Sequence, residues 1–193
     1  LSSLSPVAGL VDGQGGVVSN VTPLSSSQFS YQYGQILSGS GNYGGAILVL
    51  GQDTNASNDG VLEQFYSLAG AGLVFKVQGA TALQKIRVSV SDNKVARVVG
   101  GKTQYRAVTL EFTVSAGTPY ITILASDLLK AASDFDVTKL SSVTFLADET
   151  TVPQPAAGQT NTVTVTGAGF GFVPSIPATA TGTLTDLTAY GVG

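Results

Sequence analysis

Cysteine, histidine, methionine and tryptophan are all missing from these 193 residues. Without cysteine there is no disulfide framework, no thiolate nucleophile and no sulfur-based zinc site. Without histidine the chain lacks the usual base near neutral pH and the commonest transition-metal ligand. Ser–His–Asp and Cys–His chemistry are therefore excluded, and a pair of carboxylates is what remains for a glycosidase. The expectation is a protein that is not an enzyme. Charge is scarce as well, at 11% of residues against a usual share of about 25%. A net charge of −3 offers nothing to a nucleic-acid backbone. No apolar run approaches the roughly 18 residues of a membrane-spanning helix. No basic segment precedes the first apolar residues at Leu1, as expected of a mature form whose signal peptide has been removed. Together with the Ser, Thr and Gly content this predicts an extracellular or cell-surface location.

What the chain does have is β-branched alternation. From Gly72 to Glu149 it reads GLVFKVQG, KIRVSVSD, YRAVTLEFTV, YITIL and SSVTFLADE, runs of the period and length of half-buried strands. AILVLG, from Ala46 to Gly51, is apolar on both faces, as a central strand is. NTVTVTG and GTLTDLTAYG add strands near the end, and Gly100-Gly101 signals a tight turn. A short helix is predicted near residues 126–132, with Ser126 or Asp127 as N-cap ahead of Leu128, Leu129 and Lys130. These features predict an all-β fold, a two-sheet antiparallel sandwich with one short helix, as a single domain over residues 1–193.

The charges are unevenly placed. Of 21, residues 53–149 hold 19, and Asp12 and Asp186 are the remaining two. Both flanking portions are strand-like and nearly neutral, whereas exposed sheet edges are ordinarily blunted with charge. Such strands are expected to be covered, by the same sandwich or by a neighbour, with residues 1–22 as an extension able to pair with another subunit. The first functional expectation is thus a structural subunit that self-assembles with copies of itself into a filament, fibre, sheath or surface layer.

Several residues are candidates for sites. Tyr31, Tyr33 and Tyr43 have the aromatic faces and polar tips of a sugar-stacking platform, or of tyrosines half-buried at a sheet rim. Asp53, Asn55, Asn58 and Asp59 place four oxygen-bearing side chains in one loop, a possible Ca²⁺ site. The loop departs from the EF-hand pattern, with Asn58 at the glycine position and Gln64 at the closing glutamate, and it also reads as an ordinary Asx-rich turn. Lys85, Arg87, Lys94, Arg97, Lys102 and Arg106 alternate with apolar positions and predict a solvated outer face, with an acidic-glycan patch as the alternative. Asp134, Asp136, Asp148 and Glu149 are the carboxylates a glycosidase would have to use. Asn20 and Asn55 stand in glycosylation sequons.

One stretch carries a family likeness. PYITI, the short helix, then SDFDVTKLSSVTFLAD presents Phe135, Asp136 and Thr138 ahead of buried Leu140, Val143 and Phe145. Over about residues 65–149 this resembles the galactose-binding-like jelly rolls, such as family-11-like carbohydrate-binding modules. The resemblance implies a jelly-roll sandwich and, as the alternative function, a glycan-binding module of a secreted or cell-surface protein. The absence of tryptophan departs from the exposed Trp or Tyr on which such modules usually rely.

Overall fold

The computed structural model describes residues 7–11, 17–25, 28–51, 54, 61–68, 72–79, 85–99, 102–171 and 182–185. Two antiparallel sheets face each other. The six-stranded sheet has the order β1 (Val7–Val11), β4 (Gly44–Val49), β9 (Ser142–Ala147), β6 (Lys85–Val99), β7 (Lys102–Thr113) and β11 (Gly182–Thr185). The five-stranded sheet has the order β2 (Val18–Ser25), β3 (Gln28–Gly34), β10 (Thr160–Gly171), β5 (Gly72–Gly79) and β8 (Tyr120–Leu124). The all-β, two-sheet antiparallel sandwich with one short helix is what the sequence predicts.

Side chains alternate across each strand, and that period decides which residues enter the core. On β3, Phe29, Tyr31 and Tyr33 point inward while Gln28, Ser30 and Gln32 point out. On β10, Val163 and Val165 are core residues and the threonines between them face outward. Phe145 of the larger sheet joins the two layers, meeting Phe29 at 5.8 Å and Phe75 at 5.2 Å between ring centroids, both edge to face. These are favourable geometries for aromatic pairs, beyond the roughly 1.5–3 kcal/mol that burial of one such ring contributes.

β6 and β7 form a long hairpin in which Val99 pairs with Lys102, so that Gly100-Gly101 is its two-residue connection. The segment KVARVV, which the sequence presents as a link between two strands, continues β6. Pairing of β6 with β9 ends at Ser91, and the register with β7 shifts between Ser91 and Val95 and again before Arg97. Beyond that point the hairpin leaves β9, with Val95 and Val98 exposed and Tyr105 accepting the Leu62 N–H at 2.8 Å and meeting Phe65 edge to face.

The helix, α1 (Ala125–Ala131), begins earlier than the polar residues predict, because β8 runs straight into it and leaves Leu124 at the N-cap position. Asp127 acts from the third helical position instead, accepting the Leu124 N–H at 3.3 Å, which is one half of a capping box. Leu128 docks the helix on the core. The described parts of the N-terminal segment take edge positions, β1 beside β4 and β2 beside β3. The opposite edge of the larger sheet is β11, paired with β7. Among the described residues no helix is long and apolar enough to cross a membrane.

Candidate functional site

The two outer faces of the sandwich have different chemistry. On the six-stranded sheet, Arg87, Ser89 and Ser91 alternate with core residues of β6 and so point outward, as do Thr109 on β7 and Ser142 and Thr144 on β9. All six are nevertheless buried. Buried polar groups are costly unless paired; Arg87, Ser89 and Thr109 have partners, while Thr144 Oγ1 has none among the described residues. Ser89 Oγ and Thr109 Oγ1, opposite each other in the register, lie 2.5 Å apart. The Arg87 guanidinium donates to Asp148 Oδ2 at 2.6 Å, a fully buried ion pair. Asp148 also accepts the N–H and hydroxyl of Thr150, at 2.8 and 2.6 Å.

A second ionic group closes one corner of this sheet. Arg106 bridges the buried Asp92 and the exposed Asp134, 2.7 Å away, and lies over the Phe135 ring at 5.4 Å from its centre. Lys94 reaches Asp134 at 2.8 Å. Hydrogen bonds from Lys94 and Arg106 hold the Asp134 carboxyl down to about 2. The Asp136 N–H donates to Asp92 Oδ2 at 3.1 Å, while the Thr138 hydroxyl and N–H hold the Asp136 carboxyl below its ordinary range. The group fastens the turn after α1 to the bend in β6.

The outer face of the five-stranded sheet is open. Its half-buried side chains are Gln28, Ser30 and Gln32 on β3, Thr162, Thr164 and Thr166 on β10, Lys76 on β5 and Tyr120 and Thr122 on β8, with Gln78 fully exposed. The register sets them in rows: Gln32 beside Thr162; Ser30, Thr164 and Gln78; then Gln28, Thr166, Lys76 and Tyr120. Cross-strand bonds hold the amides in place. Asn20 donates to Gln32 at 2.7 Å, Gln28 to Thr166 at 2.9 Å and Gln32 to Thr162 at 3.4 Å. One flank is closed, since Val74, beside Thr122, is 1% exposed.

The candidate residues fall unevenly on this geometry. Tyr31 and Tyr33 lie in the core at 1% exposure each, so neither offers a ring face to a ligand here. Burial pushes both phenols up, and Tyr33 donates its hydroxyl to the Pro153 carbonyl at 2.7 Å. Tyr43 is half-buried. Asp53, Asn55, Asn58 and Asp59 lie outside the described residues. Asn20 is exposed on β2 with a φ of 52°, a left-handed conformation that asparagine tolerates well. Of the basic positions, Arg87 is buried against Asp148, Lys94 and Arg97 are exposed, and Lys85 and Arg106 are half-buried. Lys85 pairs with Glu111 at 3.1 Å, and Lys94 and Arg106 are in the ion pairs above. Asp134, Asp136 and Asp148 are likewise committed to contacts within the fold, and Glu149 accepts the Gly39 N–H. Among the described residues no cluster of carboxylates fit to hold a metal ion occurs. The Gln/Thr rows are the feature that sequence reading missed. Their signal is parity, Gln–Ser–Gln in QFSYQYG and the threonines of TNTVTVTG.

A solved structure matches this arrangement over most of its length. The family 30 carbohydrate-binding module of a cellulosomal cellulase of Clostridium thermocellum covers 84% of this chain and 90% of its own, at 16% identity and a TM-score of 0.51. The fold is the β-sandwich of such modules. Two more solved family 30 carbohydrate-binding modules match 84% and 90% of the chain, and 94% and 88% of their own, at 17% and 18% identity and TM-scores of 0.48 and 0.46. The structural likeness is thus to family 30, where the sequence resemblance points to family 11. At this identity it speaks for the fold alone. No protein-family model matches the sequence, and no curated protein matches it.

Proposed function

We propose that this chain is a non-catalytic glycan-binding sandwich of a secreted or cell-surface protein, with its ligand lying across the open face of the five-stranded sheet. The observation that carries the reading is the chemistry of that face. Gln28, Ser30, Gln32, Gln78, Thr162, Thr164 and Thr166 present amides and hydroxyls at regular strand spacing, with Gln28 and Gln32 held by cross-strand bonds. Such groups donate and accept at once, as the hydroxyls of a sugar chain require. Tyr120 adds an aromatic side chain at the edge strand. The structural neighbours' description as carbohydrate-binding modules supports the same reading.

The test is affinity electrophoresis of the chain through a panel of soluble polysaccharides, beside the triple variant Gln32→Ala, Thr164→Ala, Gln78→Ala. Retardation by at least one glycan, abolished in the triple variant at unchanged melting temperature, is the expected result. Retardation that survives the triple substitution removes the site from this face, and no retardation by any glycan removes the function.

A second reading is self-assembly, and one observation favours it. β1 (VAGLV) and β11 (GTLT), the two edges of the six-stranded sheet, carry no charge, so a neighbour's edge meets no repulsion there. Negative-stain microscopy with and without calcium separates the readings. Fibres favour assembly, and their dependence on calcium supports ion binding by the loop at residues 53–59; dispersed particles in both conditions leave the glycan-binding module.

A further inference from the structure

We infer that the glycan is anionic, and that Lys76 receives its acid group. The inference rests on the glycan-binding reading and narrows its ligand class. Its ground is the distribution of charge. The five strands of the smaller sheet read VSNVTPLS, QFSYQYG, TNTVTVTGAGFG, GLVFKVQG and YITIL, and Lys76 is the one charged residue in them.

Four of the bases elsewhere in the molecule are neutralised at short range. Lys85 meets Glu111 at 3.1 Å, Arg87 meets Asp148 at 2.6 Å, Lys94 meets Asp134 at 2.8 Å, and Arg106 is held by Asp92 and Asp134. Lys76 is in no ion pair among the described residues. Leu73, Phe75 and Val77 of β5 enter the core, so Lys76 points outward onto the open face. Its cross-strand partners there are Thr166 on β10 and Tyr120 on β8. Neither can neutralise an ammonium group, and the next residue in the row, Gln28, is an amide already bonded to Thr166.

A half-buried lysine on a neutral face can lay its apolar stem against the sheet and hold its head toward solvent, where a ligand can reach it. The row from Gln28 to Tyr120 crosses three inter-strand gaps, about 14 Å at the usual spacing of about 4.8 Å, longer than one sugar ring. An acidic saccharide therefore places its anion at Lys76 and its adjoining ring toward Tyr120. The hydroxyls of its neighbours then meet Thr166, Gln28 and the next row, Gln78, Thr164 and Ser30. Uronate and sulfate ester share the chemistry that Lys76 recognises.

The experiment is titration calorimetry of the full chain with polygalacturonate, its fully methyl-esterified form, a sulfated galactan and a neutral β-glucan, repeated for Lys76→Gln and Lys76→Arg. The expected result is preference for polygalacturonate or the sulfated galactan over both neutral polymers. Lys76→Gln should lose roughly tenfold in affinity for the anionic ligand, the weight of one charge-assisted hydrogen bond at a half-exposed site. Lys76→Arg should keep most of that affinity, and added salt should weaken the wild-type chain but not Lys76→Gln. Preference for the carboxylate over the sulfate polymer, or the reverse, names the anion. Binding of a neutral polymer as tight as that of both anionic polymers, or Lys76→Gln binding as tightly as wild type, overturns the anionic ligand and leaves the glycan reading standing. Absence of binding to all four polymers overturns both.

Discussion

The outer faces of the two sheets are both polar, yet they are built for different purposes. On the six-stranded sheet the outward side chains are short and buried, and its charges are paired, as Arg87 and Asp148 show. On the five-stranded sheet they are long amides and threonines, half in solvent, with a single cation that has no carboxylate beside it. The first face buries its polar groups and pairs several of them, Ser89 with Thr109 and Arg87 with Asp148; the second holds its polar groups half in solvent. Polarity alone therefore does not mark a binding surface. What separates the two faces is how much of that polarity solvent can reach.

That contrast can be broken most forcefully at the buried pair. Asp148→Ala leaves the Arg87 guanidinium without its counter-ion and is expected to destabilise the chain by about 3–5 kcal/mol in urea denaturation, while the folded fraction binds glycan as before. A loss under about 1 kcal/mol would mean that this face is as wet as the other. Ser89→Ala strands the Thr109 hydroxyl and should cost about 1–2 kcal/mol, whereas Ser89→Ala with Thr109→Val should cost less than the two single changes together. Acid titration gives a smaller effect. The Asp134 carboxyl sits at about 2 in the folded chain, below its ordinary 3.8, so its contribution is complete above about pH 4 and is lost as pH falls toward 2. The stability difference between the wild-type chain and Asp134→Asn should close over that window, and a difference constant down to pH 2 would show the ion pairs to be idle. The smallest effect belongs to the open face. Gln32→Ala or Gln78→Ala should change stability by no more than about 0.5 kcal/mol, because these side chains lie half or wholly in solvent.

Much of the architecture was legible because strand parity is local. SVTFLA reads as a half-buried strand and is a strand, buried on both faces and paired with β4 and β6 on either side. Phe135, Leu140, Val143 and Phe145, the positions that carry the jelly-roll resemblance, are all buried in the core. The same parity placed Tyr31 and Tyr33 on the side of Phe29, so their burial was readable from QFSYQYG; the residue type drew attention away from the period. The fate of the bases was not readable. Arg87 meets a carboxylate 61 residues further on, and nothing local to KIRVSVSD announces that partner. The open face of the five-stranded sheet lay between these cases. Its parity is plain in each strand, but that β3, β10 and β5 lie side by side follows only from the topology.

β10 occupies the centre of the five-stranded sheet, between β3 and β5. Gln28 and Thr166, which meet across it, stand 138 residues apart in the chain. Until residues 160–171 have left the ribosome, β2 with β3 and β5 with β8 are two separate pieces of sheet with no strand to join them. Non-local pairing of this kind slows folding and leaves the unjoined edges exposed to wrong partners during synthesis. The nascent chain therefore depends on one late strand, and truncation before Thr160 should yield aggregates and not a smaller sandwich.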